Sequence, residues 1–165
     1  MLESFDFSFR PVDDDDILDQ HYAATAARDV ETIDYWKFHA NKKNARAYYE
    51  LGRMYQFALC GVTRDMSKVE EYYRKAVNLG FPPAWTALGH LLIVGIGSAD
   101  LREGLSLLQK AADNGDAEAM ATLGSMLLRG TFDSDDPELP THYLRNASTA
   151  GNMDAHWELG QVGGL

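Results

Sequence analysis

A leucine followed by a glycine recurs four times along the chain, as Leu51-Gly52, Leu88-Gly89, Leu123-Gly124 and Leu159-Gly160, at intervals of 37, 35 and 36 residues. Gly80, Gly115 and Gly151 form a second series in step with the first, 35 and 36 residues apart. Two markers per period predict two helices per unit, with the second series at helix ends, where glycine adopts the left-handed backbone without steric cost. A unit of this size cannot cover its own apolar face, so successive units must stack, and the predicted product is an all-α solenoid with an open face.

The helices can be read within each unit. From Ala45, small or apolar residues at Ala45, Tyr48, Leu51, Gly52 and Tyr55 follow helical spacing. A second helix is predicted from about Met66 to Val77, and Pro82 and Pro83 open the next unit. The second unit has Ala84 to Val94, a loop at Gly95-Ile96-Gly97, and Leu101 to Asp113. The third has Ala117 to Arg129, the long turn-rich loop from Gly130 to Pro137, and about Pro140 to Ala150. A fourth first helix opens at Met153 with no second helix after it. Tyr35-Trp36-Lys37-Phe38-His39-Ala40 falls one period before Tyr72-Tyr73-Arg74-Lys75-Ala76-Val77, so Asp29 to Lys42 reads as a degenerate second helix that caps the stack. The run Asp13 to Asp16 suits the start of a helix, where carboxylates meet the positive end of the helix dipole. The expected organisation is an N-terminal arm and helical cap over 1–44, repeats over 45–80, 81–116 and 117–152, and an orphan helix over 153–165.

With 45% hydrophobic and 11% aromatic residues, the chain has ample material for a buried core. A net charge of −10 with no cluster of Lys and Arg argues against nucleic acid or an anionic membrane as partner. Cys60 is the single cysteine, expected as a small buried hydrophobe. Neither a positive leader nor a spanning apolar run is visible, so the expected location is cytoplasmic.

The combination Ala45, Leu51-Gly52, Tyr55, Gly61-Val62, Asp65, Lys68, Tyr72-Tyr73, Lys75-Ala76 and Gly80 resembles the Sel-one-like repeat, a relative of the tetratricopeptide repeat. The second unit keeps Leu88-Gly89, Gly95, Gly97, Asp100, Lys110-Ala111-Ala112 and Gly115, but has leucine at 92, 107 and 108 where the pattern asks for aromatics. The third keeps Leu123-Gly124, Gly130, Tyr143 and Gly151, with Leu127 at the first tyrosine position. The resemblance implies a right-handed α-α superhelix of antiparallel helix pairs, a protein-binding scaffold without catalytic residues or a cofactor. Bacterial relatives of this kind are adaptors, secreted effectors and immunity proteins that neutralise toxins, and eukaryotic ones are degradation-complex components.

In such repeats the first helices line the concave face, which here would present Arg46, Tyr49, Arg53 and Gln56, then Thr86, His90 and Ile93, then Ala121, Ser125, Leu128 and Arg129, then Trp157 and Gln161. Tyr49 and Trp157 have the character of aromatic anchors, and Arg53 and His90 of hydrogen-bonding groups between them. Each also has a plain structural reading, Tyr49 beneath the N-terminal cap and Trp157 over the last helix. Residues 45–80 carry six basic and four acidic side chains, while 81–165 carry four and eleven, so an acidic segment fits the first repeat and a basic partner, such as a toxin domain, the second half.

Signals for chemistry are weak. His21, His39, His90, His142 and His156 lack zinc-site spacing, and Gly95-Ile96-Gly97 lacks the strand and third glycine of a phosphate loop. Asp133, Asp135, Asp136 and Glu138 lack the order of a calcium loop, and no metal is expected. The alternation Phe5-Asp6-Phe7-Ser8-Phe9 suggests an extended arm pinned on the cap, in the groove, or on a second copy. A homodimer through that arm or the C-terminal helix is an alternative to a foreign partner, and an enzyme is the reading these residues support least.

Overall fold

The protein is described by a computed structural model covering residues 14–95, 98–132 and 134–162. The expected arm at Phe5 to Phe9, Asp13, Ile96-Gly97 and Asp133 lie outside these. Among the described residues eight helices follow one another: α1 (Asp14–Asn41), α2 (Ala45–Phe57), α3 (Met66–Asn78), α4 (Pro82–Val94), α5 (Leu101–Asp113), α6 (Ala117–Leu128), α7 (Leu139–Thr149) and α8 (Met153–Val162). No strand occurs among the described residues, so the chain is all-α. Each helix packs chiefly on the next, most extensively within the pairs α2/α3, α4/α5 and α6/α7. None of the described helices is long and apolar enough to cross a membrane.

Helix ends repeat with the same period. Asn44, Asp116 and Asn152 accept the amide N–H three residues on, at 3.1, 2.9 and 2.9 Å, which starts α2, α6 and α8. At the equivalent place α4 begins with Pro82, whose missing N–H costs nothing there. Asp65 and Asp100 do the same for α3 and α5. At the other ends, Gly80, Gly115 and Gly151 stand at φ +76°, +88° and +92°. The next amide in each case closes back on Ala76, Ala111 or Ala147, at 3.1, 3.0 and 2.9 Å.

Two features depart from expectation. α1 is one continuous helix from Asp14 to Asn41, not a short degenerate second helix, and no glycine or proline interrupts that stretch. Its end nevertheless repeats the second-helix pattern, because Lys43 takes φ +58° where Gly80 stands one period later and Asn44 N–H donates to the His39 carbonyl at 3.2 Å. Cys60 is half-buried with φ +54°, not a core residue, and burial together with Asp29 pushes its thiol pKa up.

The paired leucine and glycine have a packing cause. Leu51, Leu88 and Leu123 are buried, while the glycine after each receives a side chain from the second helix of its pair. A Cβ on Gly52 would stand 2.5 Å from the Tyr73 ring, one on Gly89 3.0 Å from Leu108, and one on Gly124 2.8 Å from Leu144. Tyr73, Leu108 and Leu144 occupy one position in three successive units, and all are fully buried. Gly89 and Gly104 also face each other, each with the other's carbonyl about 3 Å from where its Cβ would be. Neighbouring units are joined on the second-helix side by Arg74, which bonds Glu70 at 3.0 Å and Glu103 at 2.6 and 3.0 Å. Ser98 N–H completes the junction by donating to Glu70 at 2.9 Å.

Candidate functional site

The first helices α2, α4, α6 and α8 line a groove. Two cavities lie along it. One of about 350 Å³ is bounded by Tyr49, Arg53, Gln56, Tyr73, Thr86 and His90, with Asp116 and Glu118 at its far side. The other, of about 510 Å³, is bounded by Glu118, Thr122, Ser125, Arg129, Asp154, Trp157 and Glu158. Glu118 borders both, so the two cavities adjoin along the first helices.

Helical register explains who lines it. Tyr49, Thr86, Ala121 and Trp157 are equivalent positions, so two large aromatics flank a floor of small side chains. Tyr49 is held by Tyr73 and Phe81, with ring centroids 5.7 and 5.3 Å away, and burial raises the pKa of its hydroxyl. Thr86 is 5% exposed rather than outward-facing, and its hydroxyl has no hydrogen-bond partner in the protein. Trp157 stands 66% exposed, so it does not close the last helix against Ala121.

The next column holds Arg53, His90 and Ser125. Arg53 Nη1 approaches Glu50 at 3.4 Å and stays half-exposed. His90 spans two units: Nε2 lies 2.9 Å from Thr122 Oγ1 and Nδ1 lies 3.6 Å from Glu118. Thr122 already donates its hydroxyl proton to the Glu118 carbonyl, so His90 Nε2–H must be the donor to Thr122. Ser125 donates to Glu158, whose other oxygen meets Arg129 at 3.3 Å.

Gln56, Ile93 and Arg46 behave differently from the simple expectation. Gln56 borders the first cavity but accepts the Tyr73 hydroxyl at 2.6 Å. Ile93, one period on, turns toward Gly104 of α5 and not into the groove. Arg46 borders neither cavity: it pairs with Glu50 at 3.7 Å and lies over Trp36 at 5.9 Å. Its counterparts Pro83, Glu118 and Asp154 do border the cavities. The sequence reading passed over Asp116, Glu118, Thr122, Asp154 and Glu158, although carrying the columns of Arg46 and Glu50 through the period would have found four of them.

The groove offers aromatic surface, donors and acceptors. No group of three or more His, Cys, Asp or Glu side chains that could hold a metal ion occurs among the described residues.

Comparison with known proteins is consistent along the chain. The family model described as "Sel1 repeat" matches residues 45–81, 86–116 and 117–152. Over 61 residues the chain is 38% identical to the ERAD-associated E3 ubiquitin-protein ligase component HRD3A of Arabidopsis thaliana, covering 37% of this chain and 9% of that protein. A solved Sel1 repeat protein from Oxalobacter formigenes superposes with a TM-score of 0.72 at 29% identity, over 79% of this chain and 54% of that one. The immunity protein Pa5087 of Pseudomonas aeruginosa superposes with a TM-score of 0.56 at 23% identity, over 78% of this chain and 48% of that one, a likeness of fold. The chain thus spans about half of the solved relatives and a tenth of the plant protein.

Proposed function

The chain belongs to the Sel1 repeat family, a family of protein-interaction scaffolds, and from that premise we propose that it binds a protein or peptide along the groove of α2, α4, α6 and α8 without catalysing a reaction. The observation that carries this reading is that two cavities along the first helices adjoin at Glu118. Small side chains in its floor leave room between the Tyr49 and Trp157 rings, and polar groups from four helices converge on that space. Such a surface suits a segment that buries aromatic contacts centrally and makes polar ones around them. Arg53, His90, Ser125, Arg129 and Trp157 are its contact residues, with Thr86 and Gln56 in the floor and Arg46 outside. In this reading the protein is a bacterial adaptor in the cytoplasm and needs no cofactor.

The acidic second half favours, as a second reading, an immunity protein for a basic toxin domain. Co-expression with a genetically adjacent toxin separates the two, since only the immunity reading predicts rescue of growth.

The groove itself is tested with Arg53→Glu/His90→Glu. Both side chains are partly exposed and neither holds the core, so the variant is expected to fold and to lose by tenfold or more the binding of a partner captured by the wild type, about 1.4 kcal/mol. A partner retained at wild-type affinity would overturn the groove reading.

A further inference from the structure

Charge is not spread evenly along the groove. At the α2 end, Arg53 borders the first cavity and shares the carboxylate of Glu50 with Arg46, which lies outside it. At the α6–α8 end, Glu118, Asp154 and Glu158 border the second cavity with one guanidinium, Arg129, while Asp116 and Glu118 stand across the first cavity from Arg53. Arg129 is committed to Glu158, which also takes the Ser125 hydroxyl. Among the described residues Glu118 pairs with His90 alone, at 3.6 Å, and Asp154 forms no ion pair. The exposed ring of Trp157 borders the same cavity. An indole face next to two carboxylates is the setting that a guanidinium or ammonium group satisfies best, through charge-assisted hydrogen bonds to one side and cation–π contact to the other. Further along, the first cavity is bordered by Thr86, 5% exposed with a hydroxyl that lacks a protein partner, and by the half-exposed Arg53.

We propose that the groove receives an extended segment of a partner protein in one polarity, with an Arg or Lys side chain between Trp157, Asp154 and Glu118 and an acidic side chain at Arg53. This rests on the scaffold reading and specifies the chemistry of what the groove takes. Polarity follows because reversing the segment would set its cation against Arg53 and its carboxylate against Asp154 and Glu118.

The test is selection from a random dodecapeptide display library against the whole chain, followed by affinity measurement of the selected peptides. The comparison proteins are Glu118→Gln/Asp154→Asn, Trp157→Ala and Arg53→Gln, each checked for helix content by circular dichroism. Selected peptides are expected to share a basic residue with an acidic one several positions away, and to bind the first two variants about tenfold more weakly. A charge-swapped variant, Glu118→Lys/Asp154→Lys, should regain affinity for the same peptides with the basic residue changed to Glu. Peptides that share no basic residue, or that bind Glu118→Gln/Asp154→Asn as tightly as wild type, would overturn the polarity proposal and leave the scaffold reading standing. Failure to enrich any peptide over a bare surface would overturn both.

Discussion

Tyr73→Ala is expected to lower the free energy of unfolding by about 3–5 kcal/mol, the range for truncating a large buried side chain. The ring is fully buried, fills the space opposite Gly52, and shares a cluster with Val69, Leu88, Leu91 and Leu92. That cluster spans α3 and α4, the junction between two units. In a stack held by nearest-neighbour interfaces, loss at one junction uncouples the units on either side, so urea unfolding should become broader as well as earlier. Tyr73→Phe keeps the ring and removes only the hydroxyl bond to Gln56, and should cost about 0.5–1.5 kcal/mol.

The same residue predicts an alkaline effect with a definite sign. Burial, reinforced by Tyr49, raises the pKa of the Tyr73 hydroxyl above its ordinary value. In the unfolded chain tyrosine titrates near about pH 10, and below that pH both states keep the proton and stability does not change. Above it the unfolded state loses the proton while the folded state keeps it, so stability falls as pH rises. Urea midpoints measured from pH 8 upward should drop above about pH 10 less steeply in Tyr73→Phe than in the wild type, while the shallower loss at lower pH from the Cys60 thiol is common to both. An identical alkaline slope in the two proteins would contradict the assignment.

The leucine-glycine marker yields a second large prediction, because its four copies are not equivalent. Gly89→Val should destabilise by about 1–3 kcal/mol through overpacking. The added carbon meets Leu108 at 3.0 Å and the Gly104 carbonyl at 3.1 Å, and a backbone carbonyl cannot swing aside as a side-chain tip can. Gly160→Ala should do the opposite. Nothing among the described residues lies within 4 Å of a Cβ there, and removing glycine from a helix is worth up to about 1 kcal/mol. Thermal unfolding of the two single variants checks both signs. A destabilised Gly160→Ala would show that the fourth glycine is packed like the other three.

These contrasts show what the sequence made legible. The period, the paired leucine and glycine, and the closing glycines gave the helix pairs because each marks a backbone demand that few residues meet. Lys43 and Ala58 meet the same left-handed demand at φ +58° and +52° without glycine, and composition alone could not reveal them. The period predicts only the last part of α1, while a run free of glycine and proline continues the helix back to Asp14. In the groove, register found Tyr49, Arg53, His90, Ser125 and Trp157 as positions along one side. It misjudged Thr86, which larger neighbours bury, and Ile93, which turns toward Gly104. Glu118 and Asp154 went unseen because their column begins with Arg46 and Pro83, so the chemistry changes where the geometry repeats.

The groove as the binding surface is tested most directly by site-specific photocrosslinking in cells. Benzoylphenylalanine would replace His90, Ser125 or Trp157 on the groove side, and Glu71 or Arg102 on the second helices as outward controls. The account predicts that the three groove positions crosslink to one and the same protein and that the two controls do not. Crosslinks to a partner from Glu71 or Arg102, with none from the groove, would contradict it and move the binding surface to the second-helix side.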